Sequence, residues 1–323
     1  MGKIEKVFLT ATFLVMLVLF ILSSTDWVIK EQDEKVHQIS VIVNDSVDDY
    51  WMNYKKGMEK AAKIWNAEVD FITISYRGDL LNQMEIIASE LDSQADALVI
   101  SPVDSEILKR YLNDIFVGIP VITIGADIEA EATSCNIGAD YYEMGKTLGQ
   151  KIIQDHDQEP LHVVAIQQGD RRTDTDQLYL GLKEQMEEQN IEVSRIYSKE
   201  KVFVESYIRS KRNQNVKEVL VFLDVYSMDQ SIELFYNPSE EIFKGIDVYG
   251  VGYNDKILYY LDKEVLKGII AVSDYYMGYM SIEKAKEIIK NKWNQRRIIL
   301  EYEYLEPEDI YDKDKEVLLF PRS

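Results

Sequence analysis

A chain of 323 residues, 46% hydrophobic and 29% charged, can bury a full core and is long enough for two lobes of ordinary domain size. Its formal charge of -21 at pH 7 argues against nucleic acid as a partner, because binding a phosphate backbone needs a basic stripe that releases counterions. The single cysteine, Cys135, excludes an internal disulfide framework and, with no histidine or second cysteine beside it, reads as a buried structural thiol.

In chain order, the first predicted element is apolar. Lys3 and Lys6 precede "VFLTATFLVMLVLFILSST", Val7 to Thr25, and "DWVIKEQDEK" is polar immediately afterwards. The uncharged run reaches the roughly 18 residues of a spanning helix, exceeds the roughly 7 to 15 of a signal h-region, and is followed by no A-x-A site. Residues 1–25 are therefore expected to be an N-terminal signal anchor, with a cleaved signal peptide as the alternative. Lysines ahead of the span place the rest outside the cytoplasm, anchored to the cell membrane or secreted. No cysteine follows the run, which excludes lipid attachment at a lipobox. Residues 26–36 read as a charged linker.

Strands and helices then alternate. The apolar runs "HQISVIVN", "EVDFITIS", "ALVISP" and "PVITIG" are separated by helix-period stretches beginning near Tyr50, Leu80 and Ser105. A second series, "LHVVAIQQG", "IEVSRIYS", "EVLVFLD" and "DVYGVGY", has helical spacers such as Gln177 to Gln189 and Tyr226 to Tyr236. This pattern predicts an α/β fold of two doubly wound parallel-sheet lobes. The junction "NIGADYYEMGKTLGQKI" is itself strand then helix, so the lobes are expected to be joined by crossing strands rather than by a flexible linker.

Motifs of catalysis and metal binding are absent from the sequence: it holds no H-E-x-x-H, C-x-x-C, G-x-S-x-G or P-loop pattern. His37, His156 and His162 lack metal-ligand spacing, and "YGVGYND" has only two of the three glycines of a dinucleotide loop. No cofactor or metal is predicted. The corner after the first strand stands out, since Asp48, Asp49, Tyr50 and Trp51 lie where an open α/β sheet receives its ligand. A purely structural alternative makes Trp51 a core residue of the first turn and Asp49 an N-cap for a helix starting at Tyr50.

The order of these segments resembles the type I periplasmic binding proteins, in particular the ribose-like sugar-binding branch of ABC transporter solute-binding proteins. The resemblance covers nearly all of Val36 to about Tyr304 and rests on "DDYWMNYKKGMEKAAK", "SQADALVISPVDSE", "GIPVITIGAD", "NIGADYYEMGK", "VYGVGYND" and "LKGIIAVSDYYMGYMSIEKA". It implies three crossings that form a hinge, with residues 37–139 and 274–300 in one lobe and 140–273 and 301–323 in the other. It also matches Tyr50 and Trp51 to stacking aromatics, beside which Asp48 and Asp49 would accept ligand hydroxyls. A repressor of this fold needs a DNA-binding headpiece, and here an apolar segment holds that place.

The rule that ligands meet strand ends adds Asp127, Arg171, Arg172, Asp176, Asp224, Tyr226, Tyr253, Asn254 and Asp274 as ligand-binding candidates. Several sugar-binding positions of the family are replaced, by Gly125, Asp176, Val225 with Tyr226, and Val272. A sugar remains the expected ligand, and an acid-rich cleft could instead hold an amine, with Arg171 and Arg172 as counter-charges. Three roles are open: a receptor that captures a small polar ligand by hinge closure for an ABC permease, an anchored sensor reporting to a membrane kinase or receptor, and, weakest, an enzyme using paired carboxylates.

Overall fold

The computed structural model describes residues 2–24, 35–45, 51–115, 117–156, 160–169, 172–198, 203–211, 216–236, 241–292 and 295–321. It divides into two units, 1–36 and 37–323. In the first, helix α1 (Lys3–Ser24) has a mean hydropathy of 2.2 over Lys3–Ile21 and is long and apolar enough to cross a membrane.

The second unit contains two six-stranded sheets. One is built from β1 (His37–Ile42), β2 (Ala67–Ile72), β3 (Ala97–Ile100), β4 (Val121–Ile124), β5 (Thr133–Ala139) and β11 (Arg297–Leu300), in the order β2-β1-β3-β4-β5-β11. All its pairings are parallel. The other contains β6 (Leu161–Gln168), β7 (Glu192–Ser198), β8 (Lys217–Phe222), β9 (Asp247–Val251), β10 (Leu266–Val272) and β12 (Tyr302–Leu305), in the order β7-β6-β8-β9-β10-β12. There β12 runs antiparallel to β10. The chain passes between the sheets after β5, after β10, and between β11 and β12. Central strands such as β3 and β4 are buried at every residue, which explains why they read as unbroken apolar runs.

Helices cover both faces of each sheet. Around the first lie α2 (Met52–Trp65), α3 (Leu80–Asp92), α4 (Ser105–Asp114) and α10 (Asp274–Ile289); around the second lie α5 (Tyr141–Asp155), α6 (Thr173–Glu187), α7 (Phe203–Lys211), α8 (Val225–Ser231) and α9 (Asp255–Asp262). Short polar side chains at strand exits start many of them. Asp79, Asp104, Asp140, Asp224 and Asn254 each accept a hydrogen bond from the backbone N–H three residues on. The first-strand corner differs from expectation, since α2 begins at Met52 with Trp51 in the N-cap position and no side-chain cap. Helix α6 begins at Thr173, earlier than the spacer from Gln177, with Asp174 and Asp176 in its first turn, where the helix dipole favours acids. The Tyr226–Tyr236 stretch splits into α8 and a 3₁₀ turn, Ile232–Phe235.

The same packing device recurs in both halves. Helices α2 and α10 meet through Gly57 and Gly278, where an added Cβ would lie 1.9 Å from the Tyr275 carbonyl oxygen and 2.1 Å from that of Tyr54. In the other half α5 and α6 meet through Gly145 and Gly181, whose Cβ atoms would lie 2.1 Å and 2.0 Å from the Leu178 and Tyr142 carbonyl oxygens. Backbone cannot yield as a flexible side chain can, so Gly278→Ala is expected to cost roughly 1 to 3 kcal/mol in urea unfolding. A cost near zero would show that the helices separate freely. Cys135, within β5, is fully buried in the core.

Candidate functional site

Strand order reverses beside the first strand of each sheet, between β1 and β3 and between β6 and β8. Loops diverge at such a point and leave a crevice at the carboxyl ends of the strands. A cavity of about 200 Å³ lies here, walled by both sheets. Asn44 and Asp45 reach it from the end of β1, Arg77 from the loop after β2, Ser101 from β3, and Ile124 and Gly125 from β4. The second sheet contributes Arg172 and Asp174 at the start of α6, Leu223 to Tyr226 after β8, and Val251 to Tyr253 after β9. Val272 and Asp274 stand at the passage from β10 to α10, with Trp51 and Tyr141 also in the wall.

Two guanidiniums organise its charge. Arg77 is ion-paired with Asp45, whose side chain is only 2% exposed, and its Nη2 lies 3.8 Å from Asp224 Oδ1 on the other sheet. The same guanidinium lies 4.4 Å from the Tyr226 ring centroid, a cation–π contact across the cleft. Arg172 holds Asp174 through Nε to Oδ1 at 3.0 Å and Nη2 to Oδ2 at 2.5 Å. Two further bonds join the sheets: the Thr173 hydroxyl donates to the Asp127 carbonyl oxygen at 2.7 Å, and the Thr173 N–H donates to Ser105 Oγ at 3.2 Å. These contacts bridge the two sides of the cleft.

Asp274 is different. It is the first residue of α10, after the Ser273 N-cap, and burial pushes its carboxyl up to about 7 from an ordinary 3.8. The helix dipole favours its charge, but a first-turn dipole is worth only about 0.3 to 1 kcal/mol, and desolvation outweighs it. Burial likewise raises the Tyr141 and Tyr253 phenols, and the Asp274 charge adds to both.

The residues singled out from sequence fall into three groups. Trp51, Arg172, Asp224, Tyr226, Tyr253 and Asp274 line the cavity. Trp51 also packs on the core, edge-on to Tyr54 at 5.4 Å and tilted to Phe71 at 6.3 Å, so a ring of the cavity wall is at the same time part of the core. Asp127, Asp176 and Asn254 do not line the cavity, and each has a partner elsewhere. Asp127 Oδ1 accepts from the Glu129 N–H at 3.0 Å, Asp176 pairs with Arg195 at 2.5 Å, and Asn254 caps α9 and donates to Asp229 at 2.9 Å. Asp48, Asp49, Tyr50 and Arg171 lie outside the described residues.

Sequence reasoning passed over Asn44, Asp45, Arg77, Ser101, Tyr141 and Asp174. Four of these follow strand ends, and the same rule applied three or four residues before Asp48 finds Asp45 and Asn44. Nothing local marks Arg77 or Asp174, whose partners are set by folding. Gly125, one of the positions at which the sequence departs from the sugar-binding pattern it resembles, has φ +70°, and a Cβ there would lie 3.2 Å from Arg172 Nη2. The guanidinium therefore leaves little room for a side chain at 125.

Residues 39–292 match the family model of the periplasmic binding protein domain. No curated protein gives a significant sequence match. GanP, a glucose-galactose binding protein from Geobacillus stearothermophilus, is 18% identical with a TM-score of 0.76, over 86% of this chain and all (100%) of that one. An ABC transporter solute binding protein from Agrobacterium vitis, bound with alpha-D-tagatopyranose, is 17% identical with a TM-score of 0.79, over 88% of this chain and 100% of its own. A putative LacI transcriptional regulator from Bacteroides fragilis is 14% identical with a TM-score of 0.71, over 85% of this chain and 99% of its own. Identities this low show a shared fold.

Proposed function

We infer the function from membership: the chain belongs to the periplasmic binding protein domain family, and we propose that it is an extracytoplasmic receptor that captures a small polar solute, of the carbohydrate class, without turning it over. The observation that carries this reading is the cavity itself, enclosed at the carboxyl ends of the strands of two sheets and lined by both ring faces and hydrogen-bonding groups. Sugar rings present C–H faces to aromatics and hydroxyls to polar rims, a demand that Trp51 and Tyr253 with Asn44, Ser101 and Asp224 can meet. Two of the similar structures are named for sugars or hold one. In this reading residues 37–139 with 274–300 and residues 140–273 with 301–323 are the lobes, hinged at three crossings, and the occupied form hands its solute to an ABC importer. A second reading, a sensor that reports occupancy to a histidine kinase or receptor, is favoured by α1, which could hold the lobes at the membrane.

Closure is measurable because β2 and β7 are the sheet edges farthest from the crossings. Glu68 and Glu192 are exposed there, and Cys135 is buried, so Glu68→Cys with Glu192→Cys accepts a spin-label pair selectively. A sugar that raises the melting temperature of the full chain in detergent is expected to shorten and narrow the interlabel distance. Stabilisation with an unchanged distance would count against capture by closure. Cross-linking of the bound form in cells to a permease subunit supports delivery, and to a kinase supports sensing.

A further inference from the structure

The charges of the cavity wall do not balance. Among the described residues it carries four carboxylates, Asp45, Asp174, Asp224 and Asp274, against two guanidiniums, Arg77 and Arg172. Both guanidiniums are committed, Arg172 to Asp174 and Arg77 to Asp45 with Asp224 close by. Asp274 has no hydrogen bond or ion pair with any described residue, and the groups it perturbs are the neutral phenols of Tyr141 and Tyr253. A part-buried carboxylate in a cavity wall, with no such partner, is costly unless a cation joins it. The wall can also take a cation on a ring face: Arg77 already lies 4.4 Å from the Tyr226 centroid, and the rings of Trp51 and Tyr253 also line the cavity.

We propose that the occupant is a polyhydroxylated amine of the amino-sugar class, its ammonium group seated against Asp274 and its hydroxyls on the polar strand ends. The proposal rests on the cavity being a solute site and adds the charge of the solute. Closure takes both partners out of water together, so the ammonium and the carboxylate each replace the other's hydration. A neutral sugar of the same shape leaves Asp274 with no counter-charge among the described residues and favours its protonated form. Discrimination thus comes from the penalty on the wrong ligand as much as from attraction to the right one.

The test is titration calorimetry on the full chain in detergent at neutral pH with matched pairs: glucosamine against glucose, galactosamine against galactose, mannosamine against mannose, and N-acetylglucosamine as an uncharged control. At least one amine is expected to bind roughly tenfold or more tightly than both its parent sugar and any acetylated form, about the effect of one close charge pair. Asp274→Asn should weaken that amine roughly tenfold or more and abolish its advantage over the parent sugar, whose own binding should not weaken in step, with thermal unfolding of the variant confirming that it is folded. Neutral sugars that bind as well as the amines, or an amine preference that survives Asp274→Asn, would overturn the proposal while leaving sugar capture standing. If neither kind binds, sugar capture and this proposal both fail.

Discussion

Arg77→Met is expected to destabilise the unit of residues 37–323 by roughly 3 to 5 kcal/mol, the scale seen when one partner of a buried ion pair is removed. The reason is the charge left behind more than the bond lost. The Asp45 side chain is 2% exposed and Arg77 16%, so a carboxylate that has lost the guanidinium could not recover water in its place without opening the end of β1. Methionine keeps much of the side-chain length, which limits the loss of packing beside Tyr226. Adding Asp45→Asn removes the stranded charge, and the double variant should regain most of the stability in urea unfolding. A single-variant loss under about 1 kcal/mol, typical of solvated pairs, would mean that the pair is open to water. Since Arg77 also faces Asp224 on the other sheet, the single variant should loosen the closed form as well.

Asp274→Asn should raise the stability of the ligand-free protein at alkaline pH and leave it unchanged in acid. The sign follows from where the proton is held. Burial lifts the carboxyl to about 7 in the folded protein, against an ordinary 3.8, so over that interval the folded state binds more proton than the unfolded one. The stability linked to this group is fully present below the ordinary value and is lost as pH rises through about 7. Tyr141 and Tyr253, which face it, are pushed upward and stay neutral across that window. Part of Asp274 faces the cavity, so the gain is set at about 1 to 3 kcal/mol near pH 8, several degrees of melting temperature, and close to zero near pH 4. Equal effects at both pH values would mean that the carboxyl is hydrated. A bound amine would pull its pKa back down and flatten the pH dependence.

These two residues also mark how far the sequence could be read. Strand and helix alternation was legible because it depends on local periodicity: β3 and β4 are buried throughout and read as apolar runs, and helices begin where Asp79, Asp104 and Asp140 cap them. From that alternation came two doubly wound sheets with their loops converging at carboxyl ends. The site was legible only in outline. A polar residue after a strand serves a cap or a ligand equally well, and Asp224 caps α8 and lines the cavity at once while Asn254 caps α9 without lining it.

What the sequence determined by itself was therefore the set of elements and the end of each sheet at which function would gather, since both follow from interactions a few residues long. The tertiary structure alone decided which charges are already spent. Arg195 takes Asp176 away from the cleft, Arg172 takes Asp174, and Arg77 joins Asp45 from the adjacent strand end and approaches Asp224 from the opposite sheet. Asp274, with no such partner among the described residues, is left facing the cavity. Pairing of this kind acts over a few ångströms of space between residues distant in the chain, so only the packed fold could bring it about.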